Sequence, residues 1–290
     1  MDKAKVLRQR QIAKILEKVG KVISFFFKIV MFFIFAFPFY YMVIMSFLTD
    51  AESMAIIPKI WPSTWSFDAY VRVWALHDWL HALQNTVVIT FTSMILQLLT
   101  MVPSAYAFAK YKFAGQACFA VVMLALMVPT QVTFVATYLM FAEIKIAGVS
   151  ALYTLLPQIL PSGVSAFSIF LLRQSFRQVP EELIESARLD NAGEYKIMFQ
   201  IMLPMAKNTI FVLMMFSFIG HWNAYFWPSV MTLRDQERPI SVALSYINTN
   251  VEQTYNVVMA GNSIFVVPII LCYLVLNKQI INGFMYRGIK

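Results

Sequence analysis

Residues 86–109 read TVVITFTSMILQLLTMVPSAYAFA, a stretch without a single Asp, Glu, Lys or Arg. A helix rises 1.5 Å per residue, so about 20 such residues cover the roughly 30 Å hydrocarbon core of a bilayer. Five further runs are equally free of those four residues: 29–47, 116–142, 151–172, 208–233 and 255–277. The runs are continuously apolar, whereas the strands of a membrane barrel alternate in shorter segments. The pattern predicts an all-α membrane protein with six transmembrane helices. Composition agrees, because 60% apolar and 13% charged residues with a mean hydropathy of +0.67 lie outside the range of soluble globular chains.

Charge then predicts orientation. Of the 23 Lys and Arg residues, those in 1–28, 110–115, 173–207 and the C-terminal tail far outnumber the rest, which are Lys59, Arg72, Lys145, Arg234 and Arg238. Basic residues concentrate on the cytoplasmic face, so both termini and the 173–207 segment are predicted to be cytoplasmic. The net charge of +8 records this topology and contact with anionic membrane lipid, and gives no reason to invoke nucleic acid. Ile12, Ile15, Leu16 and Val19 fall at helical spacing in a basic surrounding, which predicts an interfacial amphipathic segment over 1–28. The run that follows has no small-residue cleavage site and reads as a retained span. The expected organisation is one membrane domain over 29–281, with a cytoplasmic loop at 174–207 and a tail at 282–290.

Few groups could do chemistry. Cys118 and Cys272 fall inside apolar runs and read as buried free thiols. His77 and His81 have i, i+4 spacing, two ligands without a third, and read as a surface helix. His221 lies alone within a run and reads as an interhelical hydrogen-bond partner. Gly283 and Gly288 are spaced like a phosphate loop, but Ile289 stands where its Lys would be. Trp61, Trp65, Tyr70 and Trp74 follow Pro58 and Pro62 and read as a membrane-interface anchor. The runs hold no carboxylate, which argues against a gradient-driven carrier. The chain is read as a non-enzyme that binds no cofactor and no metal itself.

The exception to this apolar uniformity is 185–204, ESARLDNAGEYKIMFQIMLP. Pro180 suits a helix start, where Glu181 and Glu182 complement the positive end of the helix dipole in a solvated first turn. Gly193 is the expected break. Beyond it Tyr195, Met198, Phe199 and Met202 fall at i, i+3, i+4, i+7 as one apolar stripe that Pro204 ends. Small Ser186 and Ala187 permit close approach, and Glu185 and Asp190 offer carboxylates. From the residues alone two readings stand: a knuckle that docks on a soluble partner, or an amphipathic loop resting on the membrane face.

The segment resembles the EAA loop of ATP-binding-cassette (ABC) importer permeases, which runs Glu-Ala-Ala, then Gly six positions after the Glu, then Ile-x-Leu-Pro. The matching positions are Glu185, Ser186, Ala187, Asn191, Ile201, Leu203 and Pro204, with Ser186 in place of Ala and Asn191 in place of Gly. Asn is the residue that best tolerates a left-handed backbone after Gly. PSAYAFAKYKFAG (103–115), WNAYFWP (222–228) and GFMYRGIK (283–290) are similar to further segments of carbohydrate-type permeases, with Ala224 where the pattern Trp-Asn-Asp/Glu-x-x-x-Pro carries an acid. The nearest resemblance is to the shorter, six-span permease of the maltose-type class. It implies half a translocation pathway for a sugar or oligosaccharide in the bacterial inner membrane. It also implies a second, similar permease, two ATPase subunits that bind ATP and Mg, and an extracytoplasmic solute-binding protein. Glu185 would then meet the ATPase, with Asp190, Gly193 and the residues of the motif shaping the knuckle.

Gln131, Trp222, Asn223, Tyr225 and Asn262 are polar or aromatic groups inside apolar runs. Such groups tend to face a bundle interior or a wet cavity, which makes them candidates for the substrate route. The rival readings are a membrane scaffold or sensor that transports nothing, and a secondary carrier.

Overall fold

The computed structural model describes residues 3–111, 115–249 and 254–285. The chain divides into two compact units, one of Met1–Val73 with Glu252–Ser263, the other of Trp74–Val251 with Ile264–Lys290. The first carries α1 (Lys3–Ser46), α2 (Asp50–Ser53) and the start of α3 (Asp68–Leu76). The second contains α4 (Trp79–Lys110), α5 (Gly115–Ala125) and α6 (Thr130–Glu143). A small hairpin follows, β1 (Lys145–Ile146) against β2 (Val149–Ser150), and then α7 (Leu156–Ile159) and α8 (Ala166–Phe176). Next come α9 (Glu181–Leu189), α10 (Glu194–Lys196), a π turn (Ile197–Met202) and α11 (Leu203–Met205). The rest is α12 (Lys207–Trp222), α13 (Phe226–Met231), α14 (Ile240–Thr249) and α15 (Tyr255–Met285), whose start belongs to the first unit.

The expectation of six transmembrane helices is overturned. Among the described residues three helical stretches are long and apolar enough to cross a membrane: Leu16–Ser46, Trp79–Lys110 and Leu156–Phe176. A fourth arises only if Glu194–Met205 and Lys207–Trp222, bent by 79° at Ala206, are taken as one broken span. Absence of charge does not make a helix continuous. The run 116–142 is split between α5 and α6, with Pro129 at the break disfavouring helix in the residue before it. The run 208–233 stops at Trp222 and resumes only as the six-residue α13. The apolar part of α15, Tyr255–Leu271, is a shorter helix. The architecture is nonetheless all-α, apart from the hairpin, where Ala147 (φ 50°) and Gly148 (φ 84°) take the two left-handed positions of a tight turn.

At the N-terminus α1 runs unbroken from Lys3 to Ser46, so the basic segment and the first apolar run share one helix. Past it, Thr49 and Glu52 form a reciprocal capping box on α2. Glu52 also accepts from Lys59 Nζ at 2.7 Å and from the Ser63 amide at 3.2 Å. These donors hold its carboxyl at about 2, far below the ordinary 4.5, with the Lys59 bond the largest cause. Asp50 is held below its usual range by Arg72, then by Asn256, whose Nδ2 lies 2.9 Å away.

In the second unit α4 is the axis. Its buried Gln97 donates to Ser168 Oγ of α8 at 2.7 Å and accepts from Ser217 Oγ of α12 at 2.6 Å, so one satisfied amide ties three helices in an apolar surrounding. Gly163 lets the chain before α8 close on α4, since a Cβ there would stand 2.3 Å from Leu96 Cδ2. With 32 residues, α4 is about 48 Å long. At one end Asn85 Nδ2 donates to the carbonyls of Gln236 (2.6 Å) and Arg238 (3.2 Å); at the other Lys110 Nζ meets Glu181 at 2.8 Å. Cys118 is free, as expected, but exposed and not buried; the Cys272 side chain lies outside the described residues. Residues 286–290 of the expected tail lie outside them too.

Candidate functional site

The polar island folds as a knuckle of two short legs on a buried base. On the first leg, α9, Ile184 points inward and is fully buried with Phe176, Ile197 and Met202, while Ala187 packs at the edge of that cluster. Glu185, about 100° round the helix from Ile184, is exposed, as are Ser186 and Asp190. Ser186 Oγ bonds back to the Glu182 carbonyl at 2.7 Å.

The turn between the legs is made by Asn191, and the expected break at Gly193 is corrected accordingly. Asn191 sits at φ 57°, whereas Gly193 has an ordinary φ of −68° and only begins the next leg. The Asn191 amide donates to the Arg188 carbonyl at 3.0 Å and the Ala192 amide to the Ala187 carbonyl at 2.9 Å. These two bonds are the Schellman termination, in which a left-handed residue follows the helix and its last carbonyls are satisfied by the returning chain.

The second leg departs from the expected stripe. Residues 197–202 form a π turn, and the buried side chains are Ile197, Met198 and Met202, while Tyr195 and Phe199 are 79% and 51% exposed. A π turn advances more residues per revolution than an α-helix, so positions five apart, as in Ile197 and Met202, come to share a face. Ile201 and Leu203 pack against the same cluster. Pro204 is exposed and lies just before Ala206, where the chain turns by 79° into α12.

Ion pairs tie the two legs and the start of α9, and leave other carboxylates open. Arg188 Nε bonds Glu194 Oε1 at 3.1 Å, and the Tyr106 hydroxyl donates to the other Glu194 oxygen. Glu181 is exposed, as a solvated first turn implies, and also meets Lys110, whose side chain is only 3% exposed. Among the described residues no side chain bonds or pairs with the carboxylates of Glu185 or Asp190.

Of the five pathway candidates the structure brings two together. Gln131 and Tyr225 line one cavity of about 490 Å³, with Thr137, Ser162, Ala224 and Trp227 among its walls. Trp222 is instead buried and stacked on Phe218, with ring centroids 5.4 Å apart and no partner for its indole N–H among the described residues. Asn223 Nδ2 caps its own helix through the Ile219 carbonyl at 2.9 Å. Asn262 belongs to the first unit and bonds the Val258 carbonyl at 2.9 Å. Gln97, Ser162 and Thr137 were not singled out from sequence, though each is a polar residue inside an apolar run, the same signal that marked Gln131. His221 lines a second cavity, of about 330 Å³, beside Gln97 and Ser217. His77 and His81 do not share a helix as expected, because Asp78 caps the start of α4 between them.

Comparison with known proteins agrees with this layout. The family described as the binding-protein-dependent transport system inner membrane component matches residues 100–284. The arabinooligosaccharides transport system permease protein AraQ of Halalkalibacterium halodurans is 27% identical over 265 residues, covering 89% of this chain and 92% of that protein. The lactose transport system permease protein LacG of Rhizobium radiobacter is 28% identical over 250 residues, covering 86% and 89%. Among solved structures, a chain of a bacterial ABC transporter involved in import of the acidic polysaccharide alginate superposes with a TM-score of 0.77 at 22% identity, over 90% of this chain and 96% of that one.

Proposed function

This chain belongs to the binding-protein-dependent transport system inner membrane component family, and from that premise we propose that it forms half of the translocation pathway for a sugar or oligosaccharide, coupled to ATP hydrolysis through Glu185. It is the permease subunit of an ABC importer and carries no catalytic centre of its own. In this reading a second permease completes the pathway, a solute-binding protein delivers the substrate outside, and two ATPase subunits bind ATP and Mg at the cytoplasmic face. The membrane is the bacterial inner membrane, and both termini are cytoplasmic.

The observation that carries the coupling role is the contrast within the knuckle. Its base is locked by Ile184, the Arg188–Glu194 pair and the Lys110–Glu181 pair. The exposed side of α9 presents the carboxylate of Glu185 outward. A rigid arm with an open charge can pass displacement from a docked partner into α12, which leaves the knuckle at the 79° bend. Ser186, Ala187, Asp190, Asn191, Gly193, Ile201, Leu203 and Pro204 shape that arm.

Truncating one member of a buried, hydrogen-bonded charge pair at an interface costs on the order of 2–5 kcal/mol. Glu185→Ala is therefore expected to weaken ATPase association or to uncouple hydrolysis from uptake. Glu182→Ala is the suitable control, since Glu182 is exposed and makes no side-chain bond among the described residues. The assay is substrate-stimulated ATPase activity together with uptake in proteoliposomes of the full transporter. Wild-type values for both in Glu185→Ala would remove the coupling role.

A further inference from the structure

We infer that the cavity holding Gln131 and Tyr225 is a binding site for an uncharged saccharide ring, a reading that rests on the permease function above and narrows its substrate. Three interruptions of the helices converge on it. Gln131 follows the break between α5 and α6, Ser162 lies in the break between α7 and α8, and Ala224 with Tyr225 forms the break between α12 and α13. Backbone that leaves the helix within a membrane persists only where it is buried in protein or lines a wet cavity. In secondary transporters, broken helices at mid-depth are also where substrates are held. Depth is fixed by Ser162, whose hydroxyl bonds Ser93 Oγ at 2.9 Å, and Ser93 stands near the middle of α4. The volume of about 490 Å³ falls inside the ~300–1,000 Å³ range of small-molecule sites.

The walls choose the ligand class. Tyr225, Phe226 and Trp227 supply aromatic surface, and two of these rings are held in place: Trp227 Nε1 donates to the Pro157 carbonyl at 2.8 Å, and Phe226 sits edge-on to Phe134 at 5.7 Å. Gln131 supplies an amide, and Thr137 and Ser162, whose hydroxyl protons are already given to the Thr133 carbonyl and to Ser93, supply acceptor oxygens. The apolar face of a sugar ring stacks on such rings while its hydroxyls exchange hydrogen bonds with such groups. Among the described residues no Asp, Glu, Lys, Arg or His lines the cavity. An anionic sugar moved into it would lose hydration with no cation to compensate, which is costly. Ala224 lies in this wall at the position where the resembled permease pattern has an acid, so the neutrality follows from this chain's own sequence.

The test uses the complete transporter in proteoliposomes, with Cys118 and Cys272 replaced by Ser and Thr137→Cys as reporter. Maleimide labelling is timed with lactose, arabinobiose or diacetylchitobiose as neutral probes, and with glycerol 3-phosphate or alginate oligosaccharide as acidic ones. At least one neutral probe is expected to slow labelling fivefold or more, the acidic probes less than twofold, and Gln131→Ala to abolish the protection. Ser162→Cys, on a different wall, gives the same readout if Thr137→Cys does not fold. Protection by an acidic probe equal to or above that by every neutral one, or no protection by any neutral probe, overturns the inference. ATP-dependent uptake in the same vesicles separates the two readings. Protection without ATP-driven uptake upholds the cavity and defeats the importer, and ATP-driven uptake of an acidic probe without neutral protection does the reverse.

Discussion

At Asn191 one side chain decides whether two helices can meet as a knuckle. Its φ of 57° is a conformation that residues with a Cβ, other than Asn and Asp, adopt at a cost of roughly 1–2 kcal/mol. The Schellman bonds from Asn191 and Ala192 depend on it. Asn191→Val is therefore expected to destabilise the knuckle by about 1 kcal/mol or more, and Asn191→Gly to be neutral or slightly stabilising. Hydrogen exchange at the Ala192 amide, which bonds the Ala187 carbonyl, reads this locally; about 1.4 kcal/mol corresponds to tenfold faster exchange. Equal protection in the Val variant would show that the left-handed turn is not what holds the legs together. Neighbouring Glu181 carries a separate lesson, because its Lys110 partner is 71 positions away and is visible only after folding.

Among the elements, those whose signal is local were legible in the sequence. The apolar stretch 86–109 falls within α4, the left-handed turn was foreseen as tolerable at Asn191, and α9 begins after Pro180 as its acidic first turn implies. What the sequence concealed were interruptions. Charge-free runs such as 116–142 and 208–233 look uniform by hydropathy, yet their helices break, before Thr130 in the first and after Trp222 in the second; hydropathy carries no record of that, and the one local signal was Pro129. The π turn escaped for a related reason: a 3.6-residue period assigned Tyr195 and Phe199 to the inner stripe, and only the wider turn brings Ile197 beneath the core. Gln131 and Tyr225 were legible as polar groups in apolar runs, but their grouping without Trp222, Asn223 and Asn262 required the fold.

The loop after α1 yields a pH prediction at the same scale. Glu52 has a folded pKa of about 2 against an ordinary 4.5, so its ionised form is favoured by the fold. A depressed carboxylate contributes stability that is fully present above the unfolded value and is lost as pH falls through the folded one. The segment 49–63 should therefore stay closed at pH 5 and loosen between about 4.5 and 2, the window set by those two values. Pepsin cleavage within 49–63, normalised at each pH to cleavage of an unfolded peptide of the same sequence, should rise across that window in the wild type. Glu52→Gln should be cleaved to a similar extent at both ends of it, and a wild-type-like rise in that variant would assign the effect to another group.

Across the whole molecule the question is which side each loop faces. Within the second unit α4 gives a ruler of about 48 Å, with the Glu181 segment against its Lys110 end and the 236–238 segment against its Asn85 end. These two loops must then lie at opposite faces of the bilayer, whichever way the chain is inserted. The excess of Lys and Arg in 1–28, 110–115 and 173–207 is expected to choose the direction, which predicts the knuckle inside. Single cysteines at Arg177 and Lys196 are thus expected to resist an impermeant thiol reagent in intact cells, and those at Lys59 and Arg234 to react, in a background lacking Cys118 and Cys272. Arg177, Lys196 and Arg234 are exposed in the structure, so access is limited by the membrane and not by packing. Position 196 reacting from outside would invert the assignment and remove Glu185 from reach of any cytoplasmic ATPase. Positions 196 and 234 reacting from the same side would contradict the α4 ruler itself.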